Sequence, residues 1–86
     1  MKEDEIINDQ ARLQWACRRG MLELDVLLGN FLKNRYPALP EAKKKLFVEL
    51  LTYSDPELFS WLLGRDKPKK RGLLKMTEEI RQHAQS

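Results

Sequence analysis

Met21-Leu22-Glu23-Leu24-Asp25-Val26-Leu27-Leu28-Gly29-Asn30-Phe31-Leu32-Lys33-Asn34-Arg35 is the stretch that decides the fold. Within it Met21, Leu24, Leu28, Phe31 and Leu32 recur at spacings of three and four, which lines them up along one stripe of an α-helix. Glu23 falls off that stripe, about 110° from its centre at about 100° per residue. Leu22 and Val26 lie nearly opposite it, so they either meet another helix or form an exposed apolar patch.

On the N-terminal side, Gly20 is expected to end or bend a first helix running from about Asn8 to Arg18, because glycine reaches positive φ without a Cβ clash. Asn8 or Asp9 can cap that helix, and Ile7, Ala11 and Trp15 at four-residue spacing suggest its inward face. On the C-terminal side, Tyr36-Pro37-Ala38-Leu39-Pro40 breaks the chain, since proline lacks an N–H and disfavours helix in the residue before it. Pro40 and Glu41 open a third helix with Leu46, Phe47, Leu50 and Leu51 inward, and Lys43, Lys44 and Lys45 read as its solvated face. Ser54-Asp55-Pro56-Glu57 starts a fourth, either by an Asp55 cap before Pro56 or by a Ser54/Glu57 capping box. Leu58, Trp61 and Leu62 turn inward and Gly64 stops it. Leu73, Met76 or Thr77, and Ile80 mark a fifth amphipathic helix that frays towards Ser86. No period-two alternation of β-branched residues signals a strand. The expectation is all-α: a single helical domain over residues 1–86, folded as a compact five-helix bundle, with a basic linker at residues 65–72 before a loosely packed C-terminal helix.

At 86 residues the chain buries only ~60–65% of the surface its unfolded form exposes, which favours a docking surface over a deep active site. Its net charge of +3 is unevenly placed: residues 1–64 carry 9 basic and 10 acidic groups, residues 65–86 carry 7 and 3. The basic excess peaks in Arg65-Asp66-Lys67-Pro68-Lys69-Lys70-Arg71, which reads as a solvated linker, the alternative being a stretch that touches nucleic acid, anionic lipid or an acidic partner. A membrane-spanning helix needs ~20 apolar residues, and no stretch approaches that. Met1-Lys2-Glu3-Asp4-Glu5 is too acidic for a signal peptide. The one cysteine, Cys17, suits a reducing cytoplasm.

Chemistry is scarce. Cys17 and His83 are a lone thiol and a lone imidazole, too few for a zinc site and poorly placed for a nucleophile–base pair. Cys17 reads as a small buried hydrophobe. Glu23 and Asp25 diverge by ~200° on a helix, so they are no catalytic dyad, and no phosphate-binding glycine loop is present. The chain does not read as an enzyme. Helix-turn-helix binding of DNA is disfavoured because Glu23 and Asp25 would sit in the first turn of the recognition helix. Both tryptophans, Trp15 and Trp61, are assigned to core packing, and Tyr36 and Tyr53 to structural roles at helix ends.

The densest cluster of unusual choices is Trp15-Ala16-Cys17-Arg18-Arg19-Gly20-Met21-Leu22-Glu23-Leu24-Asp25. Glycine removes side-chain bulk where charge is concentrated, so a partner's backbone can approach while Arg19 and Glu23 make charged hydrogen bonds to it. The alternative is an internal Arg19–Glu23 pair at four-residue spacing.

This cluster resembles the bacterial succinate dehydrogenase flavinylation assembly factors, relatives of the mitochondrial factor that promotes flavinylation of the same enzyme. Their hallmark, an arginine-glycine pair, two variable residues and a glutamate, stands here as Arg19-Gly20-Met21-Leu22-Glu23. Alone, that pattern would arise in about one chain in fifty of this length. The wider likeness is more specific: Ala11-Arg12, the run from Trp15 to Met21, Glu23-Leu24-Asp25, Asp55-Pro56-Glu57-Leu58-Phe59 and Trp61-Leu62 occur in the same order, over roughly residues 8–67. The resemblance implies a cytoplasmic five-helix protein; beside it stand the expectations of a monomer, with no membrane insertion and no nucleic-acid binding. It would dock on the flavoprotein subunit of succinate dehydrogenase, and of fumarate reductase, and aid covalent attachment of FAD to a histidine there. No cofactor would be held stably by this chain, because the FAD bond forms on the partner. Carried over, Arg19, Gly20 and Glu23 form the partner-binding surface, with Arg18 and Asp25 beside them. A toxin-neutralising, antitoxin-like regulatory protein is the rival reading.

Overall fold

The computed structural model describes residues 7–85. The readings of the acidic N-terminus and of the chain end at Ser86 lie outside these residues. Asp9 starts helix α1 (Gln10–Cys17): its Oδ1 accepts the Arg12 backbone N–H at 3.1 Å, satisfying one of the first-turn donors that a helix leaves open. Helix α2 (Leu22–Asn34) has no side-chain cap, but Glu23 and Asp25 sit in its first turn, where the helix dipole favours acids. A 3₁₀ turn at Tyr36–Ala38 takes up the proline break, and Pro40 precedes α3 (Glu41–Leu50).

Of the two starts open for the fourth helix, α4 (Asp55–Leu62) uses the capping box. Ser54 Oγ accepts the Glu57 N–H at 3.4 Å, and the Glu57 carboxylate accepts the Ser54 N–H at 3.2 Å. Gly64 follows with φ +78°, a left-handed position that suits a residue without Cβ. Helix α5 (Arg71–Gln85) completes an all-α bundle of five α-helices, with no strand among the described residues.

The core is continuous across the five helices. Leu24, Leu28, Phe31 and Leu32 of α2 are buried as their spacing predicts, against Phe47, Val48 and Leu50 of α3 and Leu58 and Leu62 of α4. The Phe31 and Phe47 rings stack with centroids 5.5 Å apart. Tyr36 tilts against Phe47 at 5.2 Å and donates its hydroxyl to the Ile7 carbonyl at 2.8 Å.

Four expectations are corrected. Helix α5 is not loosely packed: Leu73, Met76, Thr77 and Ile80 are all buried, on a stripe that faces α2, α3 and α4. The linker is shorter than residues 65–72, since Arg71 and Gly72 are already helical, and Lys70 is paired with Glu49 at 2.7 Å. Lys43 and Lys44 do more than meet solvent: Lys43 reaches Glu79 of α5 at 2.7 Å, and Lys44 lies over the Tyr36 ring at 5.4 Å. The face of α1 is also different. Leu13 and Cys17 point inward, while Ala11 is exposed and Trp15 is 75% exposed. The apolar residues of α1 are spread round its axis and interleaved with Gln10, Arg12 and Gln14, so four-residue spacing alone does not single out its inward face.

Candidate functional site: the turn between α1 and α2

Residues Arg18–Met21 link the packed helices α1 and α2, and their conformation is set by side chains arriving from elsewhere. The Arg19 N–H donates to Asp25 Oδ1 at 3.3 Å, and the Gly20 N–H donates to Asp55 Oδ2 at 3.2 Å. The Arg19 guanidinium turns inward and is only 13% exposed. It donates to the carbonyls of Leu51 and of Tyr53, the latter at 3.2 Å, and to Asp55 Oδ1 at 3.3 Å. Leu51 is the C-cap of α3, so the cation sits where a helix leaves carbonyls unpaired and favours positive charge. Asp55 is the first residue of α4, where negative charge is favoured. Each member of the pair is thus placed on the helix end that suits its sign.

The sequence-predicted residues therefore separate into two groups. Arg19 pairs with Asp55, not with Glu23, and Asp25 folds back on the turn. Gly20, Glu23 and Arg18 are exposed, and Glu23 makes no hydrogen bond or ion pair among the described residues. Gly20 does not adopt positive φ; among the glycines only Gly64 does. A Cβ at Gly20 would meet its nearest neighbour, Asp55 Oδ2, at 3.6 Å, an ordinary contact, so the fold has room for a small side chain there. Trp15, assigned to core packing from its spacing, is 75% exposed, and of the two alternatives left open for Leu22 and Val26 the exposed apolar patch holds, at 71% and 49%; all three flank the turn. Trp15 lines a surface depression with Arg18 and Arg19.

Cys17 is buried, and desolvation pushes its thiol from 9.0 up to about 12 against the opposing pull of Arg19. It is held as the neutral thiol, as the reading of a small hydrophobe expects. His83 is on α5, against the Phe31 ring and 3.4 Å from Asn34. No group of three or more His, Cys, Asp or Glu able to hold a metal ion occurs among the described residues, and no described helix is long and apolar enough to cross a membrane.

Known proteins resemble this chain over most of its length. The family model described as "Flavinator of succinate dehydrogenase" matches residues 11–84. The chain belongs to this family. A relative named FAD assembly factor SdhE from Legionella pneumophila (strain Paris) is 48% identical over 73 residues, covering 85% of this chain and 91% of the relative. Another of the same name from Idiomarina loihiensis is 45% identical over 75 residues, covering 87% and 83%. A third, from Photobacterium profundum, is 42% identical over 79 residues, covering 92% and 90%. The family match spans all five helices, including α5, beyond the residues that carried the resemblance in sequence.

Proposed function

We propose that this chain is a FAD assembly factor of the cytoplasm. It docks as a monomer through its α1–α2 turn on the flavoprotein subunit of succinate dehydrogenase, and on that of fumarate reductase, and promotes covalent attachment of FAD to a histidine of that subunit. The reading rests on family membership. The observation that carries it to a site is the turn itself: an exposed Gly20, where a Cβ would meet only Asp55 Oδ2 at 3.6 Å, beside Glu23, an exposed carboxylate with no partner among the described residues. Glu23 and Arg18 supply charged hydrogen bonds to the flavoprotein. Exposed Trp15 supplies the kind of large, stiff contact that dominates binding energy at interfaces. Arg19 and Asp25 hold the turn rather than touch the partner. Docking stabilises the arrangement in which the partner's histidine and the flavin ring meet, and the bond-forming chemistry belongs to the flavoprotein and its FAD.

The test is covalent flavin, read as in-gel fluorescence on the flavoprotein subunit in cells lacking this protein and complemented with wild type, Glu23→Ala or Gly20→Arg. The expected outcome is a band lost in the deletion strain, restored by wild type and not by either variant, although both variants fold. Undiminished flavinylation in the deletion strain would reject the proposal and leave the antitoxin-like reading as its rival.

A further inference from the structure

Asp55 lies 35 positions from Gly20 in sequence, yet its two carboxylate oxygens divide between the two residues at the apex of the docking turn. Oδ1 accepts from the Arg19 guanidinium at 3.3 Å and Oδ2 accepts the Gly20 N–H at 3.2 Å. The other amide of the apex, that of Arg19, is taken by Asp25 at 3.3 Å. The turn has no hydrogen bond of its own at these two amides, so its shape is set from outside, by the first turns of α2 and α4. Asp55 is itself fixed by the Ser54–Glu57 capping box, which anchors the start of α4.

We propose that Asp55 is a positioning residue for partner docking. By bridging Arg19 and the Gly20 amide it fixes the angle at which Gly20 and Glu23 are presented, without touching the partner. This rests on the docking reading above. The chemistry makes one substitution diagnostic. Asparagine has the same shape but only one acceptor oxygen. In Asp55→Asn one of the two contacts becomes a donor facing a donor, so either the Gly20 amide or the Arg19 guanidinium is released.

The experiment measures affinity of the intact wild-type, Asp55→Asn and Asp9→Asn chains for the purified flavoprotein subunit by calorimetry, together with the Gly20 amide resonance in a ¹H–¹⁵N spectrum. Asp9→Asn is the control, because Asp9 likewise accepts a backbone N–H and pairs with an arginine, Arg12, but at the start of α1. Asp55→Asn is expected to keep native helicity, to shift the Gly20 amide and to bind about tenfold or more weakly, the loss of one charge-assisted contact. Asp9→Asn is expected to bind as wild type. A purely structural role would lower the melting temperature of both variants and leave the affinity of the folded protein unchanged. Wild-type affinity in folded Asp55→Asn, or an unmoved Gly20 amide, overturns the positioning role alone. Failure of the wild-type chain to bind the flavoprotein overturns the docking reading and the positioning role with it.

Discussion

Cys17 shows how burial decides the chemistry of a residue that composition leaves open. A thiol beside arginines can be activated, but here desolvation outweighs the Arg19 charge and raises its pKa from 9.0 to about 12. Burial also pushes the Tyr36 phenol from 10.0 up to about 12. Both groups are neutral when protonated, so between roughly pH 9 and 12 the native chain holds protons that the unfolded chain has released. Stability is then fully present below about pH 9 and falls as pH rises through that window. Urea midpoints measured from pH 7 to 10.5 should decline above pH 9, and more gently in Cys17→Ala. Iodoacetamide at pH 8 should label native Cys17 about a hundredfold or more slowly than the unfolded chain. Rapid labelling would contradict the burial described here.

At the scale of elements, the ends of the helices are where local sequence was most informative. Ser54 and Glu57 form the box that their spacing announces, and Gly64 ends α4 with φ +78°. Gly64 also faces the Arg81 guanidinium, 2.9 Å from where a Cβ would stand. Gly64→Ala should therefore cost ~1–2 kcal/mol in denaturant unfolding through left-handed strain, while leaving flavoprotein affinity unchanged if the proposed docking turn, which is elsewhere, is the contact. The inward stripe of α2 was equally legible, since five apolar residues share one period. Helix α1 was not, because Ala11, Leu13, Trp15, Ala16 and Cys17 spread round its axis and only packing against α2 selects among them. The candidate site was half legible. Gly20 and Glu23 are exposed as a docking surface requires, but the inward turn of Arg19 depends on Leu51, Tyr53 and Asp55. Those partners are more than thirty positions away, beyond any spacing rule.

For the whole molecule, the surprise is how firmly α5 is tied in. Its buried stripe of Leu73, Met76, Thr77 and Ile80 closes a core that four helices would leave open, in a globule only 32 × 26 × 26 Å across. The pairs Lys43–Glu79 and Lys70–Glu49 are exposed and contribute about 0–1 kcal/mol each, so apolar burial is the main tie. A chain truncated after Lys70 should lose its cooperative thermal transition by circular dichroism. Retention of a sharp transition near the wild-type temperature would show that α5 is an accessory. The basic segment before it is held at both ends, by the Arg65 N–H on the Ser60 carbonyl at 2.9 Å and by Lys70 on Glu49, so it is a fixed part of the surface rather than a free tail.

The contrast between the two tryptophans has an optical consequence. Trp15 stands in water beside the α1–α2 turn, whereas Trp61 lies edge-on to Tyr53 at 4.9 Å. The chain therefore carries one fluorophore that iodide reaches freely and one that is half-buried and reached less readily. Their relative emission gives a label-free signal in which only the Trp15 share turns blue when a partner covers the turn.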